Sequence, residues 1–302
     1  MKSAIVTGAG GFIGGALVEK LLAQGVCVVA VDIDKQQLIR RFQHPNINFV
    51  QASFDDYSHL DELIHCSADV FYHFAWQGVS GVDYRNIAVQ EKNVFSSRIA
   101  LEQAIKLQCS KFIYLGSSHE YLISENSVDQ TYTECSVYGA AKHMGEIWCR
   151  TLAKDKIIFS SALFTNVFGV GDRSNRSTNT FISQLLDGKD LNLTEGSHLH
   201  DWTYIEDAVN GLIAIAERGK NGRQYYIGNR KLKKFAEIIH EVRDIVNPNC
   251  KLLFGTYPDY SFVDYSKINL EILYEDTGFK CSDDFKDSII KTMNWIKYMN
   301  GK

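Results

Sequence analysis

Short runs of apolar, β-branched residues alternate through the first half of the chain with longer stretches of helical periodicity. Ser3 to Thr7, Cys27 to Val31, Ile47 to Val50, Val70 to Phe74, Phe112 to Leu115 and Ile157 to Phe164 are mostly apolar. Strands of a parallel sheet read this way because helices cover both of their faces. Between them Phe12 to Gln24, Tyr57 to His65, Asn86 to Lys106 and Tyr138 to Lys154 have the length and spacing of helices. The alternation predicts βαβ units and a doubly wound parallel sheet of the α/β class.

Beyond about Val167 the pattern loosens. The polar, glycine-punctuated stretch from Gly169 to Asn179 predicts a loop, followed by a short helix at Phe181 to Leu186 and a turn at Asp187-Gly188. Ile205 to Arg218 reads as a helix with Gly219 as its stop. Periodicity returns in Leu232 to Val246, Ile268 to Tyr274 and Asp284 to Met299. The expected division is a nucleotide-binding domain over residues 1–165 and a smaller mixed α/β domain over 166–302. The Ile205 to Arg218 helix is free to pack back on the first domain.

Composition narrows the partners. Of 302 residues 45% are hydrophobic, and only Pro45, Pro248 and Pro258 are proline, so a compact chain with a sizeable core is expected. The 32 basic against 36 acidic residues leave no positive excess for nucleic acid. No apolar run approaches the roughly 18 residues of a membrane span. Met1-Lys2-Ser3 runs directly into Ala4-Ile5-Val6, far shorter than a signal-peptide core, so a cytoplasmic protein is expected. The seven cysteines, Cys27, Cys66, Cys109, Cys135, Cys149, Cys250 and Cys281, are odd in number and lack paired spacing. Free thiols, and no metal site, are the expectation.

Candidate chemistry begins after the first strand. Gly8-Ala9-Gly10-Gly11-Phe12-Ile13-Gly14 links a strand to a helix, with Gly8, Gly11 and Gly14 in G-x-x-G-x-x-G spacing. Such glycines permit a tight turn, the approach of a pyrophosphate, and close helix packing, and the helix N-terminus favours the phosphates. Asp32, 18 residues after Gly14, closes the second strand. A carboxylate there accepts from ribose hydroxyls and repels a 2′-phosphate, favouring NAD. Lys35, Arg40 and Arg41 leave NADP open.

Tyr138 and Lys142 stand four apart, on one face of a helix, where a cation is expected to lower the phenol's pKa toward working pH. Ser117 ends the strand Phe112 to Leu115, at the carboxyl edge of the sheet where active sites sit.

With these motifs go His73-Phe74-Ala75-Trp76, Asn93, Asn166-Val167-Phe168-Gly169, Leu191 to Gly196, and Asp201-Trp202-Thr203-Tyr204-Ile205-Glu206-Asp207-Ala208. The chain thus resembles the extended short-chain dehydrogenase/reductases that act on sugar nucleotides. The resemblance implies a Rossmann-type fold in which Tyr138 exchanges the substrate proton, Ser117 bonds the same oxygen, and Lys142 holds the nicotinamide ribose. It also implies that Phe12, Ile13, Phe54, Ala75 and Asn93 line the cofactor site, and that Asn166 meets the sugar nucleotide. Phe12, Phe54 and Ala75 serve equally as core packing.

Family 4,6-dehydratases follow the catalytic hydroxyl residue with Asp and Glu, and here those places hold Ser118 and His119. The run Gly116 to Tyr121 looks more like branches that reduce nucleotide-linked 4-keto-6-deoxyhexoses. His119 either transfers a proton or shapes the pocket. A C4 epimerase is the alternative, and a silent NAD(H)-binding protein a third reading. His200 stands where the family commonly has a diphosphate-binding arginine, and none accompanies Tyr257-Pro258-Asp259. Arg173, Arg176, Lys189 and Arg223 are the candidates to replace them. The resemblance implies a homodimer built from the helices at Asn93 to Lys106 and Tyr138 to Lys154, and Met144, Ile147 and Trp148 suit a helix with more than one buried face.

Overall fold

The computed structural model describes residues 1–123, 137–258 and 262–301. Seven strands form one parallel sheet: β1 (Ser3–Thr7), β2 (Cys27–Asp32), β3 (Ile47–Gln51), β4 (Val70–His73), β5 (Lys111–Leu115), β6 (Ile158–Leu163) and β7 (Arg223–Tyr226). Their spatial order is β7-β6-β5-β4-β1-β2-β3. The order reverses at β1, so β1 and β4 border the crevice where a doubly wound sheet receives its ligand. Register aligns Thr7 with Val31 on one side and His73 on the other, and Tyr114 with Ser161 farther along.

The helices are α1 (Phe12–Ala23), α2 (Lys35–Arg41), α3 (Leu60–Leu63), α4 (Ile87–Lys106), α5 (Val137–Ala153), α6 (Ser177–Leu186), α7 (Ile205–Arg218), α8 (Phe235–Val246), α9 (Ile272–Thr277) and α10 (Phe285–Met299). Period-two alternation sorts the strand residues between two cores. Val6, Tyr72 and Ile113 face Leu17, Leu21 and Leu212 of α1 and α7. Ile5, Phe71, Phe112 and Phe159 face Ala100, Leu101 and Cys149 of α4 and α5. Both sheet faces are therefore dry, which explains the unbroken apolar runs. The seventh strand comes from beyond residue 165, as does α7 against α1.

Several elements differ from the pattern. Tyr57 to His65 is a 3-10 turn at Phe54–His59 followed by the short α3. Ser53 and Asp56 start it early, the Asp56 carboxylate accepting from the Ser53 amide at 2.8 Å. Helix α2, begun by a 3.0 Å bond from the Gln37 amide to Asp34, and strand β7 are short and half polar, so neither stood out. Helix α6 begins at Ser177, inside the stretch expected to be a loop. Helix α7 does end at Gly219, but with extended backbone (φ −63°, ψ 141°). A side chain there would press on the Ile215 carbonyl, so packing is what calls for glycine.

Cys27, Cys66, Cys109, Cys149, Cys250 and Cys281 are free thiols, while Cys135 lies outside the described residues. Among the described residues no helix is long and apolar enough to cross a membrane.

Candidate active site

The loop after β1 is shaped by what cannot fit in it. Gly8 has φ +68°, and a Cβ there would lie 2.8 Å from the Ala75 amide nitrogen. A Cβ at Gly14 would collide with the Gly8 carbonyl oxygen, which accepts from the Gly11 amide at 3.1 Å. Gly10, outside the spacing rule, donates its amide to Asp32 Oδ2 at 2.8 Å. The N-terminus of α1 has neither a side-chain cap nor an acid in its first turn. Its free N–H groups and dipole thus suit an anionic pyrophosphate, and the residues present fit NAD. Arg41 folds over the loop, reaching the Gly11 carbonyl at 3.2 Å and Glu19 at 3.0 Å.

Among the expected cofactor contacts, Phe12 and Ile13 open α1 half-buried, and Ala75 is half-buried at the end of β4. Phe54 is buried in the α4-side core, its ring 5.3 Å from that of Tyr57. Asn93 is fully buried and clamps Gln77, accepting from its amide at 2.7 Å and donating to its carbonyl at 2.9 Å. It therefore sets the path of residues 76–78. His73 is a strut between Thr7 Oγ1 at 2.9 Å and Ser97 Oγ at 3.0 Å, and burial pushes its pKa down to about 3.

Ser117, Tyr138 and Lys142 come together at the carboxyl edge of β5. Ser117 caps a 3-10 turn at Ser118–Tyr121, accepting from the His119 amide at 3.2 Å. The first turn of α5 lies against this turn so tightly that a Cβ on Gly139 would collide with the His119 carbonyl oxygen. That approach lets the Tyr138 and Ser117 hydroxyls share a hydrogen bond. Lys142 Nζ donates to the Leu115 carbonyl at 2.7 Å and lies 3.6 Å over the Trp76 ring.

The electrostatics differ from the expectation of a phenol lowered by lysine. Burial pushes the Tyr138 phenol up to about 12, with Arg176 and then the Ser117 hydrogen bond pulling it back. Burial pushes Lys142 down to about 7, against the Glu120 carboxylate. Desolvation leads at both groups, at the buried Lys142 and at the half-buried Tyr138.

His119 Nδ1 meets the Tyr84 hydroxyl at 2.6 Å, and burial, then Arg176, pushes its pKa down to about 4. Tyr84 also stacks on Tyr138 at 4.9 Å. Ser118 is fully buried, and its Oγ has no partner among the described residues. Its amide donates to the Phe164 carbonyl at 2.9 Å. Asn166 donates to Thr178 Oγ1 at 2.7 Å, pinning the start of α6. The His200 ring lies tilted against Phe235 at 5.5 Å, and desolvation first, then His198, holds its pKa down to about 4. Its neighbour Asp201 accepts from the Tyr226 hydroxyl at 2.7 Å and the Asn229 amide at 2.8 Å.

The four candidate cations separate. Arg176, at the start of α6, is the one whose charge reaches both Tyr138 and His119. Arg173 is exposed nearby. Lys189 follows the other end of α6, about 15 Å away at 1.5 Å per residue, and pairs with Asp187 at 3.4 Å. Arg223 begins β7 at the amino edge of the sheet and faces Asp276 at 3.8 Å. Neither is brought to the site. Asp259 lies outside the described residues, and Tyr257 is exposed. A cavity of about 420 Å³ touches His200, Asp201 and Trp202 but none of Ser117, Tyr138 and Lys142.

Trp76, Tyr84, Glu120 and Gly10 were not singled out by spacing. The aromatic Tyr84 between the glycine-bounded stretch 78–81 and α4 was the available signal.

A glycine loop between β1 and α1, an acid closing β2 and a Ser-Tyr-Lys set at the carboxyl edge define a dinucleotide-binding fold of the short-chain dehydrogenase/reductase class. The chain belongs to the NAD dependent epimerase/dehydratase family, whose model matches residues 4–228. It is 24% identical over 316 aligned residues to UDP-N-acetyl-alpha-D-glucosaminuronate decarboxylase of Bacillus cytotoxicus, covering 98% of each chain. Its structure is similar to WbmF of Bordetella bronchiseptica, solved with NAD+ and UDP, at TM-score 0.79 and 25% identity, covering 99% and 93% of the two chains. The fold is also shared with DesIV, a dTDP-glucose 4,6-dehydratase of Streptomyces venezuelae, at TM-score 0.79 and 20% identity, covering 100% and 98%.

Proposed function

We propose that this chain is a cytoplasmic, NAD-dependent oxidoreductase that reduces the C4 ketone of a nucleotide-linked 4-keto-6-deoxyhexose. The observation that carries the reading is the Tyr138 phenol, half-buried, hydrogen-bonded to Ser117 and pushed by desolvation up to about 12, so that it keeps its proton. A phenol in that state is a proton donor, which ketone reduction requires. Dehydration also needs a carboxylate pair, and the two positions after Ser117 carry a fully buried serine and a neutral histidine.

In this reading Gly8, Gly11 and Gly14, the start of α1, and Asp32 hold the dinucleotide, with Phe12, Ile13 and Ala75 as its apolar walls. Reduced NAD, when bound, supplies the hydride. Tyr138 Oη gives its proton to the carbonyl oxygen as that oxygen gains charge, and Ser117 Oγ donates a hydrogen bond to it. Lys142 binds the nicotinamide ribose. Asn166 and His200 line the substrate pocket, Ser118 backs its wall from the buried side, and Arg176 with Arg173 takes the diphosphate. Residues 1–165 with α7 and β7 carry the cofactor, and the remainder closes over the sugar nucleotide. A homodimer forms through α4 and α5, whose Phe95, Met144 and Ile147 are 51%, 48% and 45% exposed.

The test is NADH oxidation against a panel of 4-keto-6-deoxy sugar nucleotides with different bases. One NADH consumed per sugar supports the reading, and Tyr138→Phe should abolish consumption while leaving NADH binding in place. Epimerisation of an unreduced sugar nucleotide, with no net change in NADH, would replace it with the epimerase.

A further inference from the structure

Glu120 is a carboxylic side chain, 3% exposed, its pKa raised by burial, and it is not used by the chemistry above. Its carboxylate sits on the backbone that carries the catalytic serine. Oε1 accepts from the Ser117 amide at 2.9 Å and lies so close over Gly116 that a Cβ there would collide with it. Oε2 accepts from Gln224 Nε2 at 3.1 Å and faces His143 Nδ1 at 3.5 Å. Residue 115 of the same strand end is gripped from the other side, since its carbonyl takes the Lys142 ammonium. One short stretch of backbone thus separates a buried anion from a buried cation.

The other charges around Glu120 leave that relationship in place. From α5, Glu146 is engaged by Arg150 Nε at 2.8 Å and by Ser161 Oγ at 3.1 Å. His143 is partly solvated, its side chain 40% exposed, and Glu120 raises its pKa. Tyr138 and Tyr114 also feel the Glu120 charge.

We propose that Glu120 is a positioning residue whose carboxylate fixes Ser117 at the end of β5 and sets its negative charge behind the same strand end that Lys142 grips. This rests on Ser117, Tyr138 and Lys142 being the working set. Its test uses enzyme without substrate, so an error in the substrate assignment leaves it intact.

Trp76 lies against the Lys142 ammonium and reports its charge through fluorescence. The pH titration of Trp76 emission, taken as the difference from Lys142→Met, gives the midpoint of Lys142. Glu120→Gln keeps the side-chain shape and removes the charge, and should lower that midpoint by about one pH unit. His143→Gln removes a neighbouring cation and should move the midpoint upward. An unmoved midpoint in Glu120→Gln, or shifts of the same sign in both variants, overturns the proposal. Should Glu120→Gln fail to fold, His143→Gln decides alone, and no upward shift overturns it.

Discussion

The Lys142 ammonium rests 3.6 Å above the indole of Trp76, and that indole is fixed by its own N–H bond to Gln90 Oε1 at 2.9 Å. Gln90 in turn holds the Gly78 and Asp83 carbonyls, each at 2.9 Å. The segment carrying Tyr84 and the helix carrying Tyr138 are therefore joined by this cation–π contact as well as by the Tyr84–Tyr138 stack. In a desolvated pocket such a contact is worth on the order of 2 kcal/mol.

Trp76→Leu removes that support for the charged lysine. NADH binding should weaken about tenfold at pH 8, where Lys142 then loses its proton more readily, and by less at pH 6, where it stays charged. Calorimetric titration at the two pH values checks this. Equal weakening at both would mean that Trp76 acts only by shape.

Asp32 turns both carboxylate oxygens to backbone amides, Gly10 and Ile33, each at 2.8 Å. Asp32→Asn keeps only one of these two bonds, since its Nδ2 donates and cannot accept, and it removes the charge that repels a 2′-phosphate, with Arg41 already over the loop. NADH affinity should fall about tenfold, the scale of one charge-assisted hydrogen bond, and NADPH affinity should rise. Dissociation constants for both cofactors test it.

Much of this site was legible before the fold was known, because each part of it obeys a local rule. Glycines 8, 11 and 14, Asp32 and the Tyr138–Lys142 spacing follow from what a phosphate, a ribose or a helix face demands. The uninterrupted apolar strands announced a sheet covered on both faces. What stayed hidden depends on distance through the fold. Trp76 meets Lys142, and Tyr84 meets His119, across segments widely separated in sequence. Lysine proximity suggested a lowered phenol, whereas desolvation at both groups, which spacing does not reveal, leads their titration. Strand β7 was hidden for a simpler reason: four residues beginning Arg-Gln carry no alternation to read.

Three histidines, His73 buried and His119 and His200 half-buried, make stability depend on pH. Burial, as the leading cause, pushes His73, His119 and His200 down to about 3, 4 and 4 respectively. Unfolded, each titrates near 6.5. As pH falls through 6.5 toward 4 the unfolded chain takes up protons that the fold refuses, so their contribution to stability is full above pH 7 and declines across that window. Melting temperature should fall as pH drops below 6, and, because burial holds Lys142 down to about 7, it should rise further between pH 7 and 8. His200→Gln should flatten the fall, and an unchanged slope would contradict the assignment.

The exposed Phe95, Met144 and Ile147 belong to neighbouring helices, with Phe95 edge-on to Trp148 at 5.6 Å. A second copy of this face would cover them. Sedimentation should show a dimer at micromolar concentration, and Ile147→Glu should yield a folded monomer.

The most direct measurement follows the hydride itself. With NADH deuterated at the transferred position and a nucleotide-linked 4-keto-6-deoxyhexose, one deuterium should appear at sugar C4 for each NADH consumed. Failure to consume NADH, while an unreduced sugar nucleotide inverts at C4 and carries no deuterium, would contradict a reductase.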